Sequence, residues 1–424
     1  MAFEKRYNPF VIEALEPRVL LSDTAGLNAV SPDVSRTNAS SVSEISLIDS
    51  IQKDESHTII NDVNSVWQDI DVSSLELVTS LENESGSESA PDVPYSGSSS
   101  QEPHRLSRQS IASPEAAVRV WDGGGSDSLW SNPLNWINDV LPQQDDNLLF
   151  PTGVTNKTAI NDFAAGSRFR SVTISDASYQ ISGNAITLLC GLVYNATGSG
   201  ATFSLPIILG AAQTFFSANI DASITLGDLD LANLQLLTFE GRGNIDVEGT
   251  VTGTGGITKN GDGTLVLGKN NLFQGLVTLN QGTINLRANN ALGSTDAGTI
   301  ATYGTAIQLQ GNITVPENMA IRSGGMGFSF SSMGAIRSVG GNNEITGVVS
   351  MLDHGSIGVD SGSTLKISGA IMVEPGVSDG GLTKFGAGSL EITGTADNAI
   401  TGQTTVLQGT LYLNKDRSGI FQRV

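Results

Sequence analysis

Apolar residues recur at alternate positions in short runs from about residue 120 onward. Within the stretch 256–286 these pairs are Leu265 and Leu267, Val277 and Leu279, and Ile284 and Leu286. Residues two apart on a β-strand face the same side, so each pair predicts a short strand with one apolar face. Glycine-rich segments between the runs predict tight turns. Three short strands cannot bury such a face alone, whereas stacked turns can, so the pattern predicts an all-β fold, a right-handed parallel β-helix (β-solenoid).

The stretch 256–286 recurs at 381–413. The opening GITKNGDGTLVL matches GLTKFGAGSLEI, and after a two-residue insertion the close TLNQGTINL matches TVLQGTLYL. Each copy therefore carries a glycine–threonine–lysine opening and a glutamine–glycine–threonine close. Repetition at this scale is typical of folds in which each unit packs only on its neighbours.

These motifs resemble the autotransporter-associated strand repeat. Between the two copies, GAIRSVGGNNEITG at 334–347 and IGVDSGSTLKISG at 357–369 resemble a second form that accompanies such repeats. The resemblance covers roughly 245–415. It implies a passenger-type β-helix that builds a stalk and is not in itself an enzyme.

The N-terminus carries a second resemblance. Residues 13–23, EALEPRVLLSD, follow a basic patch at Lys5 and Arg6 and resemble the LEPR-XLL motif of large repetitive bacterial surface proteins. The matching residues are Leu15, Glu16, Pro17, Arg18, Leu20 and Leu21, with Val19 at the free position. The resemblance implies an export-associated segment over 1–23, although the sequence lacks the uninterrupted apolar centre of a standard signal peptide.

The chain changes character near residue 118. By count, 46 of the 49 glycines follow Arg119, whereas the first 118 residues carry 19 acids against 7 bases, a net charge of −12. A serine-rich acidic segment cannot bury enough apolar surface to offset its ordering entropy, so 24–118 is predicted to be a disordered linker. The β-helix is then expected over 119–424.

Tryptophans cluster where the predicted β-helix begins. Trp121, Trp130 and Trp136 lie within the pattern WDGGGSD…WSNPLNW. The end of a solenoid exposes apolar surface and strand edges, so a buried cap is the first interpretation. The alternative is a carbohydrate-binding platform with exposed rings. Neighbouring aspartates leave a Ca²⁺ site open at this stage, although the glycine pattern of calcium-binding repeats is absent.

Net charge, apolar run length and cysteine count exclude several classes of partner and site. The net charge of −21 argues against nucleic acid and anionic membranes as partners. No run approaches the ~20 apolar residues of a transmembrane helix. The single cysteine, Cys190, excludes an intramolecular disulfide and lies in the apolar run AITLLCGLVY, so it is expected to be a small buried side chain.

Catalytic chemistry has few candidates. His354 is the one histidine in the predicted β-helix, flanked by Asp353, and a lone turn histidine does not indicate a Ser–His–Asp triad. A polysaccharide-acting enzyme on a β-helix remains an alternative and would need clustered carboxylates, for example among Asp353, Asp360, Glu374 and Asp379. No catalytic, cofactor-binding or metal-binding residue is assigned.

The sequence thus predicts a non-enzymatic β-helical scaffold for adhesion or envelope contact, secreted or on the outer surface of a bacterium. Export machinery and a surface glycan or envelope component are the expected partners, and no cofactor is expected. The chain ends in GIFQRV without a membrane-barrel pattern, so either separate machinery exports it or it is part of a longer protein. The last turn is expected to lack a cap, which favours truncation or packing on a partner.

Overall fold

The computed structural model describes residues 10–13, 116–322 and 334–416. Within them, short strands wind as a parallel β-solenoid of about twelve turns, with a 15-stranded, a 12-stranded and a 6-stranded sheet. Twelve turns at about 4.8 Å each give an axial length of about 55 Å. The predicted fold class is confirmed: the described part of the chain is all-β and parallel, with almost no helix.

The first face holds one strand from each turn and belongs to the 15-stranded sheet. Its strands are β2 (Val118–Val120), β3 (Asn147–Phe150), β5 (Ser167–Ile174), β7 (Ile186–Tyr194), β10 (Gln213–Ser217), β13 (Leu237–Gly241), β16 (Ile257–Lys259), β18 (Val277–Leu279), β20 (Thr299–Ala301), β23 (Met319–Ile321), β26 (Val349–Met351) and β29 (Ile371–Val373). The same sheet branches from the first half of β7 through β9 (Ile207–Leu209), β12 (Leu229–Asp230) and β15 (Val251–Thr252).

The second face is the 12-stranded sheet. Its strands are β4 (Thr158–Asn161), β6 (Gln180–Gly183), β8 (Ala201–Phe203), β11 (Ser223–Leu226), β14 (Asn244–Val247), β17 (Thr264–Leu267), β19 (Thr283–Leu286), β21 (Ala306–Gln310), β24 (Ile336–Gly340), β27 (Gly355–Val359), β30 (Leu382–Phe385) and β32 (Thr404–Val406).

The third face is the 6-stranded sheet. It contains β22 (Thr314–Val315), β25 (Asn342–Ile345), β28 (Thr364–Ile367), β31 (Ser389–Ile392), β33 (Thr410–Leu413) and, at its edge, β1 (Phe10–Glu13). β1 pairs antiparallel with β33, whereas all other ladders between described strands are parallel. Two short 3-10 turns, Pro133–Asn135 and Ile137–Asp139, lie between β2 and β3.

Register places the predicted apolar pairs inside the solenoid. Leu265 lies beside Ile284 and Leu267 beside Leu286 in the parallel ladder of β17 and β19, and all four side chains are fully buried. Since fully burying an aliphatic side chain stabilises a fold by about 1.5–3 kcal/mol, repeated inward columns are the main source of stability. The prediction that these residues form ascending coils with an apolar interior is confirmed.

Cys190 departs from expectation, because its thiol side chain is exposed. The ladder between β5 and β7 shifts register between Phe169 and Ser171, so that Leu189 and Cys190 together lie opposite a single residue. Such a β-bulge breaks the alternation of inward and outward residues. The prediction of a buried cysteine was wrong because an apolar run does not show where a bulge interrupts the strand.

None of the helices in the described ranges is long and apolar enough to cross a lipid bilayer.

Candidate functional site

The three tryptophans close the first turns of the solenoid. Trp121, Trp130 and Trp136 are all fully buried. Trp136 packs edge-on against Trp121 at a centroid distance of 5.3 Å and against Trp130 at 6.0 Å. The Phe150 ring lies within 6.2 Å of each tryptophan ring. The cap interpretation therefore holds, and the carbohydrate platform was wrong, because no ring face is free for a sugar.

Hydrogen bonds hold the cap in place. The Trp121 indole donates to the Asn156 carbonyl at 2.9 Å, and the Trp136 indole donates to the Trp130 carbonyl at 2.9 Å. Asp127 Oδ1 accepts from the Leu129 amide at 3.1 Å. The Trp121 bond reaches the chain just before β4, whereas the Trp136 and Asp127 bonds lie within the cap loop.

The aspartates of the cap act as hydrogen-bond acceptors. Asp127 also accepts from the Asn132 and Asn135 side chains. The bond from the Leu129 amide, together with these two, lowers the pKa of Asp127. Asp146 pairs with Arg119 at 2.6 Å. Among the described residues no group of three or more His, Cys, Asp or Glu side chains is placed to hold a metal ion.

Each repeat carries a buried lysine at the same position. Lys259 ends β16 with 3% of its surface exposed, and its Nζ donates to the carbonyls of Asn260 at 2.7 Å, Gly261 at 2.5 Å and Gln281 at 3.3 Å. Gln281 belongs to the following turn. The ammonium group therefore ties two turns together at a corner, which is a structural role.

Lys384 repeats this geometry in the second copy. Its Nζ donates to the carbonyls of Phe385 at 2.8 Å, Gly386 at 2.6 Å and Gln408 at 3.0 Å. Burial lowers the pKa of both lysines to about 8. We did not predict this role from the sequence, although the signal was present: the lysine recurs at one position of both copies, two residues before a turn glycine.

His354 lies between two residues that the sequence had not connected to it. Its Nε2 is 2.7 Å from the Thr383 hydroxyl and its Nδ1 is 3.3 Å from Asp379 Oδ2. The spacing resembles a nucleophile–base–acid arrangement. Thr383 lies on β30, whose two edges are paired with β27 and β32, so the backbone around it belongs to the strand ladders.

The carboxylates considered for a glycan-cleaving site have separate partners. Asp360 forms a two-pronged ion pair with Arg337 at 2.9 and 2.7 Å, whereas Asp379 contacts His354. Glu374 is exposed. Asp360 and Asp379 therefore contact different partners.

Glu317 is the buried acid that sequence reasoning missed. It is 2% exposed, its Oε1 accepts from the Thr299 hydroxyl at 2.9 Å, and its Oε2 has no hydrogen-bond partner among the described residues. Burial raises the pKa of Glu317 to about 8. A carboxylic acid that stays protonated at neutral pH avoids the cost of burying a charge.

The residues of the predicted export motif, Leu15, Glu16, Pro17, Arg18, Leu20 and Leu21, lie outside the described residues. Their role stays a prediction.

The comparisons with known proteins agree with the repeat geometry. The family model of the passenger-associated-transport-repeat matches residues 257–286 and 382–413. These ranges contain β16–β19 and β30–β33. Their inward-facing apolar residues, such as Leu265, Leu267 and Leu390, belong to the solenoid core. No curated protein and no solved structure shows significant similarity to the chain.

Proposed function

We propose that the chain is a non-enzymatic passenger scaffold, exported to the outer surface of a bacterium, where it holds or displays contact surfaces. The observation that carries this proposal is the agreement between the two matched repeats and closed turns of the solenoid. The repeated residues of both copies therefore have a structural role, which is to form turns that stack on one another. The function is mechanical: each turn buries its interior and pairs its backbone with the next.

The outward side of the first face supports a role in contact. Thr238, Thr258 and Thr278 stand in register on consecutive turns. Beside them, the Asn280 side chain donates to Asn260 Oδ1 at 3.0 Å, and Asn260 donates to Glu240 Oε1 at 3.0 Å. Regular hydroxyl and amide groups at the strand spacing suit a polar surface such as an envelope glycan, which is the partner we propose.

Surface labelling tests the export part of the proposal. Intact cells expressing the full chain are treated with a membrane-impermeant amine-reactive biotin reagent, and a cytoplasmic enzyme serves as the unlabelled internal standard. We expect the chain to be labelled and to fractionate with the envelope or the medium, and N-terminal sequencing of that fraction maps the mature start. Retention of unlabelled chain in the cytoplasm would refute export.

The export motif provides a matched pair of variants. Arg18→Glu reverses a charge at a matching position of the motif, whereas Val19→Ala changes its free position. We expect Arg18→Glu to accumulate inside the cell and Val19→Ala to be exported as the wild type is. Equal export of both variants would remove the motif from the proposal while leaving the scaffold function intact.

Glycan contact is tested separately. Thr258→Glu places a charge within the threonine column, and Thr225→Glu places one on the opposite sheet, where Thr225 also faces outward between buried neighbours. Both variants are assayed for co-sedimentation with purified envelope polysaccharide. We expect only Thr258→Glu to weaken binding, and no binding by the wild type would reject the glycan as the partner.

A further inference from the structure

The last turn of the solenoid presents a strand edge. β33 pairs with β31 on one side, and its other side has no following turn within the described residues. Leu411 of β33 is buried, whereas Leu413 is 44% exposed. An edge of this kind offers unpaired N–H and C=O groups to any extended chain, including another copy of the same protein.

β1 occupies this edge. Its residues Phe10, Val11, Ile12 and Glu13 lie opposite Leu413, Tyr412, Leu411 and Thr410. The direction is antiparallel, whereas successive turns of the solenoid are always parallel. β1 is therefore an added end strand and cannot be another turn of the solenoid. The expectation that the last turn lacks a cap was wrong for this face.

Chain length allows the connection. About 100 residues separate Glu13 from Val118, and that number of residues can span up to ~330 Å when extended. Twelve turns measure about 55 Å along the axis. A strand that precedes the first turn in sequence can thus reach the last turn without strain.

We propose that Phe10–Glu13 is a self-supplied end strand that blocks addition of a second copy of the chain to β33. All four residues of β1 lie in register with β33. The turns of the solenoid pair in parallel, so a second solenoid would continue a parallel ladder at β33, and the antiparallel β1 takes that place. β1 covers the third face only, since β32 is the end strand of the 12-stranded sheet. At this end of the solenoid the other two end strands, β29 and β32, have three residues each, whereas β33 has four.

A designed disulfide tests whether β1 occupies the edge of β33. Val11 and Tyr412 lie directly opposite each other, and opposed residues of antiparallel strands have Cα atoms about 4.5–5.5 Å apart, within the range of a disulfide. Val11→Cys with Tyr412→Cys is made in a Cys190→Ser background, which removes the one native thiol. We expect an oxidised monomer with a peptide linking the two positions.

The control moves one thiol by one strand. Glu391 lies beside Tyr412 on β31, so Val11→Cys with Glu391→Cys separates the thiols by two strand spacings, about 9.6 Å. We expect no disulfide in the control. Absence of the bond in the test pair, or a bond joining two chains, would overturn the assignment of this edge to the chain's own β1.

A second variant tests the protective role. Successive N–H groups of a strand point to opposite sides, so Val11→Pro with Ile12→Pro removes whichever donor faces β33. Ala2→Pro with Phe3→Pro places the same substitutions before the strand. Sedimentation velocity across a concentration series should show self-association for the first variant alone. A monomer at every concentration, or wild-type self-association equal to that of the variant, would refute the blocking role.

Discussion

The ammonium group of Lys384 lies 3.0 Å from the carbonyl oxygen of Gln408, a residue of the next turn. Two further carbonyls, those of Phe385 and Gly386, accept from the same group. One side chain therefore satisfies three backbone acceptors at a corner where strands end. Its equivalent, Lys259, makes the same three bonds in the first repeat.

Removing the ammonium group should destabilise the corner. Lys384→Met keeps most of the apolar stem but leaves buried carbonyls without a donor, which costs about 1–3 kcal/mol in the free energy of unfolding. Urea unfolding followed by circular dichroism measures the change. Lys269→Met alters an exposed lysine of the first repeat and should change stability by less than about 0.5 kcal/mol. Equal effects would contradict the role of Lys384.

Stability should fall as pH rises through the titration of Glu317. Burial raises its pKa to about 8 from the usual 4.5 of a glutamate, so the folded chain binds more protons than the unfolded chain between these two pH values. The contribution is fully present below pH 4.5 and is lost as pH rises to about 8, a difference of order 5 kcal/mol.

Glu317→Gln tests this directly, because glutamine cannot titrate. The wild type should lose stability relative to Glu317→Gln between pH 5 and pH 9, as measured by chemical unfolding at several pH values. The buried lysines titrate in both proteins, so the difference isolates Glu317. Glu374→Gln changes an exposed acid and keeps Glu317, so its stability should follow the wild-type pH profile. Parallel pH profiles for all three proteins would rule the mechanism out.

Alanine substitutions at two glycines distinguish the cost of steric overlap from the cost of backbone strain. Gly261 and Gly362 have φ values of 75° and 77°, but only at Gly261 would a Cβ overlap a neighbour, the carbonyl oxygen of Gly241 one turn away. We expect Gly362→Ala to cost about 1–2 kcal/mol and Gly261→Ala about 2–5 kcal/mol. Thermal unfolding measures both, and equal losses would show that stacking distance is not limiting.

The buried cap predicts shielded tryptophan fluorescence. Trp67→Phe leaves Trp121, Trp130 and Trp136 as the only tryptophans, all fully buried. Their emission should be blue-shifted, weakly quenched by iodide and unchanged by added oligosaccharides. Quenching by a sugar would restore the binding-platform interpretation.

Trp136→Ala should lower the free energy of unfolding by about 3–5 kcal/mol, because a buried aromatic side chain is removed.

The His354 contacts should not support hydrolysis. Thr383→Val removes the hydroxyl bonded to His354, whereas Thr405→Val changes the neighbour of Thr383 on β32. With chromogenic ester and amide substrates, the wild type and both variants should match the buffer rate, because strand ladders occupy the amides that an oxyanion needs. A rate above buffer that is lost only in Thr383→Val would show a catalytic threonine.

The spacing of apolar residues and glycines along the sequence was sufficient to predict the fold. Leu265 and Leu267 belong to the core cluster whereas Val266 between them does not, and turn glycines recur at Gly261 and Gly386. These are local properties, since side-chain alternation and positive φ follow from the backbone itself. The tryptophan cap was predictable for a similar reason, because large apolar rings at the start of a solenoid need cover.

The environment of polar side chains was not predictable in this way. Lysine and glutamate are usually exposed, and nothing near Lys384 or Glu317 in sequence shows that residues one turn away enclose them. The exposed Cys190 depended on a bulge, and the contact of His354 with Thr383 joins residues 29 positions apart.

The amino-acid sequence by itself determined that the chain stacks short strands around an apolar interior, because alternation and glycine corners act within a few residues. Only the tertiary structure decided which polar groups were buried and which edge of the last turn was covered. Those outcomes depend on neighbours brought together by stacking: Gln408 over Lys384, and Tyr412 beside Val11.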